Sequence, residues 1–346
     1  MSETSGMDLP SDLPIVQAPM AGGPSTPALT AAVSEAGGFG FLAGGYLTAE
    51  GLREVIAATR SLTGARFGVN LFVPSAPGDP AEVDAYASAI RPDAERLGVE
   101  LGTPLWDDDA FEAKLEVVEL TAIHLLSFTF GCAPTEVVDR LHRAGILVAV
   151  TVTSAAEGRL AGESGADLLV VQGTEAGGHQ ASFLDLSPNH RTLLSTLAEI
   201  HDTTHLPVIG AGGIMTGGDA AAVLRAGAIG VAIGTALLCA PEAGTSRPYR
   251  QALLDHRYTN TIVTRAYSGR YARGLANRFA LDHDGQAPEA YPEIHHLTRP
   301  LRVAATRAGD PEVPNLWAGT NWRNVTADPA ATIIRRIAEG AKASSP

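Results

Sequence analysis

Cysteine is nearly absent. The 346-residue chain has two, Cys132 and Cys239, too few for a disulfide framework, which points to a reducing, cytoplasmic setting. Long apolar runs are missing as well. No stretch approaches the roughly 18 residues that cross a bilayer. The polar, acidic opening MSETSGMDLPSDLP lacks the apolar core of a signal peptide. Positive charge is scarce: 25 Lys and Arg stand against 38 Asp and Glu, a formal net charge of −13, which argues against nucleic acid or an anionic membrane as partner. Any anionic ligand must therefore be held by backbone N–H groups or by a few well-placed cations. Charged residues of every kind make up only 18% against 45% hydrophobic, so the chain can bury a substantial core.

What it has in abundance is glycine, 37 residues, more than helices favour and suited to tight turns and close ligand contact. Apolar runs rich in Val, Ile and Leu recur at 13–20, 38–45, 66–74, 122–131, 145–154, 166–173, 206–213 and 228–235, each ending in glycine or a polar residue. Segments with helical spacing, such as TPALTAAVSEAGG and GGDAAAVLRAGA, lie between them. Continuous rather than alternating apolar runs mean strands covered on both faces, hence a parallel sheet. Eight such units predict an α/β fold, a (β/α)₈ TIM barrel, in preference to an open doubly wound sheet of the same pattern. Past residue 244 the rhythm breaks. The expected organisation is a barrel over 1–243, a smaller, mostly helical cap over 244–312, and a segment over 313–346 whose amphipathic helix, begun by Asp328–Pro329, packs back on the barrel.

Reactive groups of such barrels sit at the C-terminal strand ends. Those ends hold amides and glycines rather than charge: Gln17 to Met20, Gly44–Gly45, Asn70, Phe130–Cys132, Thr153, Gln172 to His179, Gly210–Gly213 and Gly234–Thr235. That suits a flat, hydrogen-bonding cofactor better than a metal, and no metal is expected. Glycines after the seventh and eighth runs, with the N-terminus of a short helix, can form a neutral anion cradle, or merely tight turns. In GTEAGGH, Gly177 and Gly178 let the backbone approach a ligand. His179 then reaches the mouth, where an imidazole exchanges protons near neutral pH. Glu175 either takes part or only steadies the loop. HDTTH (201–205) lies at the wrong end, HH (295–296) and DHDG (282–285) lack further ligands, and Cys132 has no base partner. Arg265, Arg270, Arg273 and Arg278 cluster in an acidic chain, either to clamp an anion, with Arg270 and Arg273 as substrate candidates, or to pair with surface carboxylates.

Four ordered stretches, PIVQAPMAGGPSTPALTAAVSEAGGFGFLAGG, FGVNLF, VVQGTEAGGH and PVIGAGGIMTGGDAAAVLRAGAIGVAIGTALL, with SGRYARGLANRF and LWAGT, resemble the FMN-dependent nitronate monooxygenases (2-nitropropane dioxygenases) of bacterial type. The resemblance implies FMN held non-covalently under a cap, and oxidation of alkyl nitronates such as propionate 3-nitronate by O₂ to a carbonyl compound and nitrite. By motif, Ala18, Pro19 and Met20 lie near the isoalloxazine. Asn70 and Gln172 bond its polar edge or ribityl chain, and Gly177 and Gly178 line the cofactor. Gly212, Gly213, Gly234 and Thr235 hold the phosphate, and His179 is the active-site histidine beside N5. No metal or nicotinamide is implied, and a monomer or homodimer is expected. Related FMN reductases of enoyl thioesters or quinones usually carry GTRF where this chain has GTAL (234–237), which disfavours that alternative. A non-catalytic flavin-binding protein is the third reading.

Overall fold

The structure is a computed structural model that describes residues 9–121, 123–255 and 257–344. Most of the stretch read as lacking a signal peptide, and Ala122 at the head of the fourth apolar run, lie outside the described residues.

Eleven strands are present among the described residues: β1 (Ile15–Gln17), β2 (Gly40–Ala43), β3 (Phe67–Phe72), β4 (Leu125–Thr129), β5 (Leu147–Val152), β6 (Leu168–Gln172), β7 (Gly178–His179), β8 (Val208–Ala211), β9 (Gly230–Ile233), β10 (Thr261–Thr264) and β11 (Ala272–Leu275). Eight form one parallel sheet in the order β1-β9-β8-β6-β5-β4-β3-β2. A parallel bridge between Val16 and Phe39 brings its two ends together, with Gln17 N–H and Phe39 N–H donating across the seam. The expected (β/α)₈ barrel is thus present, one strand in each apolar run.

Side-chain alternation explains why those runs read as continuous. In β5 Ala149 points into the barrel lumen, while Val148, Val150 and Val152 face the surrounding helices. In β6 Leu168 faces in, and Leu169 and Val171 face out. Helix starts are set by side chains at the ends of the preceding loops. Thr26, Thr48, Ser154, Thr192 and Thr216 each accept a first-turn N–H, a contribution of about 1 kcal/mol apiece. Helix Ala330–Ala343 packs on helix Gly217–Arg225, whose Gly217 meets Gly340 so closely that an added Cβ would lie 2.4 Å from the Gly340 Cα.

A second hydrophobic core lies beside the barrel. Helix Pro80–Leu97 contributes Val83, Tyr86 and Ile90 to it, against Phe279, Ile294, Leu297 and Leu301 of the later chain. The later region holds strands as well as helices. The β10–β11 hairpin pairs with β7, setting Ala272 opposite His179 and Arg273 opposite Gly178. The loop after β6 is thereby stitched to that region. Among the described residues no helix is long and apolar enough to cross a membrane.

Candidate functional site

A cavity of about 1080 Å³ opens over the C-terminal ends of the barrel strands, just above the usual range for small-molecule sites. Its wall includes Ala18, Pro19 and Met20 after β1, Asn70 in β3 and Gln172 in β6. Gly177, Gly178, His179, Gly212, Gly213, Gly234 and Thr235 line it as well. The barrel-strand candidates therefore converge on one space. Gly44, Cys132, Thr153 and Gly210, also at strand ends, are not in the wall. Burial pushes the Cys132 thiol up to about 11, consistent with an inert side chain.

At one end the backbone is open. Gly212 and Gly213 have φ of 129° and 69°, values that L side chains rarely adopt. None of the described residues accepts the N–H groups of Gly213, Gly234 and Thr235, which leaves three donors for an anion. The helix after β8 does not join them. Thr216 and Asp219 cap its N-terminus reciprocally, and Gly217 and Gly218 of its first turn are not in the wall, so the cradle rests on Gly213, Gly234 and Thr235. Segment 317–321 completes this wall. Gly319 N–H donates to Thr235 Oγ1 (3.0 Å), Thr320 N–H to Glu175 O (3.0 Å), and Asn321 Nδ2 to Gly213 O (2.7 Å). Glu175 serves the loop: its carboxylate accepts Leu193 N–H at the start of helix Leu193–His201.

The two amides differ. Asn70 Nδ2 donates to Ser127 and Thr129, leaving Oδ1 without a partner among the described residues. Gln172 holds the loop, Nε2 donating to His179 O (3.0 Å) and Oε1 accepting Ala181 N–H (2.9 Å). One N–H and one lone pair remain to it for a ligand. Glu157, almost wholly buried in the first turn of helix Ala155–Glu163, fixes the same loop by accepting N–H groups of Phe183 and Leu184, and it also accepts Thr153 N–H.

His179 lines the same cavity, ringed by Phe130, Tyr291 and Trp317 at centroid distances of 5.6, 5.8 and 5.6 Å. Burial, and then the guanidinium groups of Arg270 and Arg302, push its pKa down to about 3. The expected titration near neutral pH is thus replaced by a ring that stays neutral, because desolvation disfavours the cation. Its Nε2 lies 2.8 Å from Ser268 Oγ. Ser268 Oγ also lies 3.3 Å from the carbonyl of Arg270. A hydroxyl proton directed there leaves Ser268 to accept from Nε2–H, and one directed to Nε2 puts the ring's proton on Nδ1, which has no partner among the described residues.

Arg270 and Arg273 are not in the cavity wall, contrary to the expectation for them. Arg270 lies behind it, its guanidinium 4.1 Å above the Phe130 ring and donating to Ser182 O. Arg273 is engaged by Thr174 and Thr261. The cavity's arginines are instead Arg299, Arg302 and Arg307 of helix Glu293–Ala308. Tyr46, Ser268 and Tyr291 also line it without having stood out in the sequence, and so does His295, noted there only as a metal ligand without companions. The spacing Arg299–Arg302, one helix face, was the one available signal for the arginines.

A parallel barrel with a ligand-sized cavity at its C-terminal mouth, closed over by later chain, defines a barrel enzyme with its active site in the usual place. The chain belongs to the nitronate monooxygenase family, whose model matches residues 7–340, and is thereby an oxidoreductase. It is 36% identical over 334 residues to a probable nitronate monooxygenase of Staphylococcus aureus (strain MSSA476), covering 94% of this chain and 93% of that one. Among solved structures it is similar to nitroalkane oxidase from Streptomyces ansochromogenes, at 45% identity, a TM-score of 0.93, and coverage of 97% and 98%. FabK from Thermotoga maritima is similar at 26% identity, with a TM-score of 0.75 and coverage of 96% and 94%.

Proposed function

We propose that this chain oxidises alkyl nitronates with O₂ to a carbonyl compound and nitrite, with FMN held non-covalently in the cavity. The observation that carries the reading is the pairing of two features in one space: open backbone donors at Gly213, Gly234 and Thr235, and a neutral His179 in the same wall. The donors suit a phosphate without any cation, which a chain of net charge −13 needs. Gly212, Gly213, Gly234 and Thr235 would hold that phosphate, and Ala18, Pro19 and Met20 would flank the ring system. Asn70 Oδ1 would accept from it, and Gly177 and Gly178 would permit close approach. Bound FMN supplies the electron-accepting chemistry.

The residues divide the remaining work. A nitronate is already an anion, so no base is needed to form it. The buried positive charge of Arg270 and Arg302 near His179 favours its binding beside that ring. Where the substrate is a neutral nitroalkane, the neutral His179 ring would take the proton, with Ser268 orienting it. Phe130, Tyr291 and Trp317 exclude water from the ring.

Purified protein tests this directly. The expected result is a flavin absorption spectrum, bleaching by a nitronate without air, and nitrite release in air. Bleaching by NADH with no nitrite would instead assign a reductase. A yellow protein inert to both would assign a binding protein.

A further inference from the structure

We propose that Lys114, which does not itself line the cavity, is a positioning residue for the reaction: through Asp109 it fixes Tyr46, and Tyr46 braces the aromatic side chains around His179. As a statement about turnover, the inference rests on the nitronate reading above.

Lys114 stands on the inward face of helix Phe111–Thr121 with Leu115, Val117 and Val118, and its side chain is 1% exposed. An ammonium in such a place loses its hydration, a cost offset only by a close anion. That anion is Asp109. Nζ lies 2.7 Å from its Oδ2, the one ion pair of Lys114 among the described residues. Packing alone does not call for it, since an apolar side chain of similar volume fills a buried position with no charge to compensate. What the ammonium adds is direction, drawing the Asp109 carboxylate inward. The backbone there is constrained: Asp109 and Ala110 have φ of 53° and 51°, left-handed values uncommon for residues with a side chain. Such conformations persist where the surroundings over-determine them.

The second oxygen of Asp109 does the positioning. Oδ1 accepts the backbone N–H of Tyr46 (3.0 Å), 63 residues earlier in the chain. Tyr46 is left-handed too, with φ of 67°, and it lines the cavity. Its ring stacks on His295 at 4.0 Å and 5° and meets Phe72 edge-on at 5.7 Å. Its hydroxyl lies 3.0 Å from that of Tyr291. Two routes then lead to the imidazole. One passes through Tyr291, 5.8 Å from the His179 ring. The other passes through Phe72 and Phe130, 4.7 Å apart, with Phe130 5.6 Å from His179. Close-packed side chains transmit displacement, so a shift of Tyr46 is felt at both flanks of that ring.

The test measures turnover of propane-2-nitronate by folded holoenzyme, below the melting temperature of each variant. Lys114→Met is expected to lower kcat roughly 10-fold, the scale of a small misplacement, with KM within about threefold of wild type. Added to Tyr46→Ala, it should change kcat by less than about twofold, because residues that act through one another are not additive. Lys114→Met with Asp109→Asn leaves no buried charge and keeps an oxygen for Tyr46 N–H, and should return kcat to within about threefold of wild type. A lower melting temperature with kcat unchanged in Lys114→Met, or a full further loss on top of Tyr46→Ala, overturns the proposal.

Should Lys114→Met alone fail to fold, two neutral pairs decide. Lys114→Met with Asp109→Ala lacks the acceptor for Tyr46 that the Asp109→Asn pair keeps, and should be slower than it by roughly 10-fold. Equal rates overturn the route through Tyr46. If wild type turns over no nitronate, the nitronate reading fails, and fluorine NMR of protein labelled with fluorotyrosine decides the positioning alone. The Tyr46 resonance, identified by its loss in Tyr46→Phe, should move in the Asp109→Ala pair and return in the Asp109→Asn pair. A resonance that stays in place in both overturns the proposal.

Discussion

Ser268 Oγ stands 2.8 Å from His179 Nε2 and 3.3 Å from the carbonyl of Arg270. Among the described residues this hydroxyl is the one hydrogen-bond partner of the His179 ring, so it orients the ring and biases its tautomer. Removing it by Ser268→Ala frees the ring to take either tautomer without altering its burial. The expected outcome is a fall in kcat of roughly 10-fold on a neutral nitroalkane, within the usual range for general-base contributions. A preformed nitronate, which needs no proton removed, should be turned over within about twofold of wild type. His179→Asn should lose the nitroalkane reaction almost entirely. Equal loss on both substrates in Ser268→Ala would show that the hydroxyl serves packing and not the tautomer.

Acid should unfold this protein through its neutral histidines. His179 has a folded pKa of about 3 against 6.5 for an unperturbed ring. Between those values the unfolded chain binds a proton that the folded chain refuses, so stability rises with pH through this window and is lost on acidification. His295 acts in the same direction, held well below 6.5 by burial and Arg302. Melting temperature is expected to be level above about pH 7 and to fall below about 6.5. In His179→Gln the fall between pH 6.5 and 5 should be shallower. Identical slopes for the two proteins would place the imidazole in a more hydrated site than the structure does.

The strand count was legible because each run is covered on both faces, and the mouth was legible because glycines mark its turns. Partners far apart in sequence were not. His179 and Ser268 are 89 residues apart, and nothing local in YSGRY announces a hydrogen bond to the earlier ring. Helix Pro80–Leu97 carries the same apolar spacing whether it packs on the barrel or, as it does, in the second core. Its partner cannot be read from periodicity. The two-residue β7 is too short to have a period at all. Arginine was misleading in the other direction. Charge density in RAYSGRYARGLANR drew notice to Arg270 and Arg273, whereas what matters is which guanidinium faces the cavity. Arg273 does not line it and Arg302 does.

Arg270 offers a direct contrast with Arg302. Its guanidinium lies over Phe130, donates to Ser182 O (2.9 Å), and sits behind the cavity wall. Arg270→Ala would remove a cation–π contact and a hydrogen bond and leave a void under the aromatic ring. A destabilisation of about 2–4 kcal/mol is expected, measured by denaturant unfolding. Because its charge acts on the nitronate group that both kinds of substrate share, the ratio of kcat/KM between carboxylated and plain nitronates should stay within about twofold of wild type. A collapse of that ratio, with stability unchanged, would put Arg270 in contact with the substrate carboxylate.

Two adjacent glycines separate backbone strain from wall geometry. A Cβ on Gly177 would lie 2.6 Å from the backbone of Ala318 and Gly319, atoms that cannot rotate away. The 317–321 segment would have to retreat, breaking the bond from Gly319 N–H to Thr235 Oγ1 beside the proposed phosphate donors. A Cβ on Gly178 meets nothing within 4 Å, although its φ of 78° makes any side chain strained. Gly178→Ala should therefore cost about 1–2 kcal/mol of stability and leave FMN affinity within about threefold. Gly177→Ala should weaken FMN binding by about 10-fold or more, since close backbone approach is what the cradle depends on. Fluorescence titration of the apoproteins with FMN reads both constants. Equal affinities for the two variants would mean that the 317–321 segment is not part of the cofactor wall, and the phosphate would then have to be sought elsewhere in the cavity.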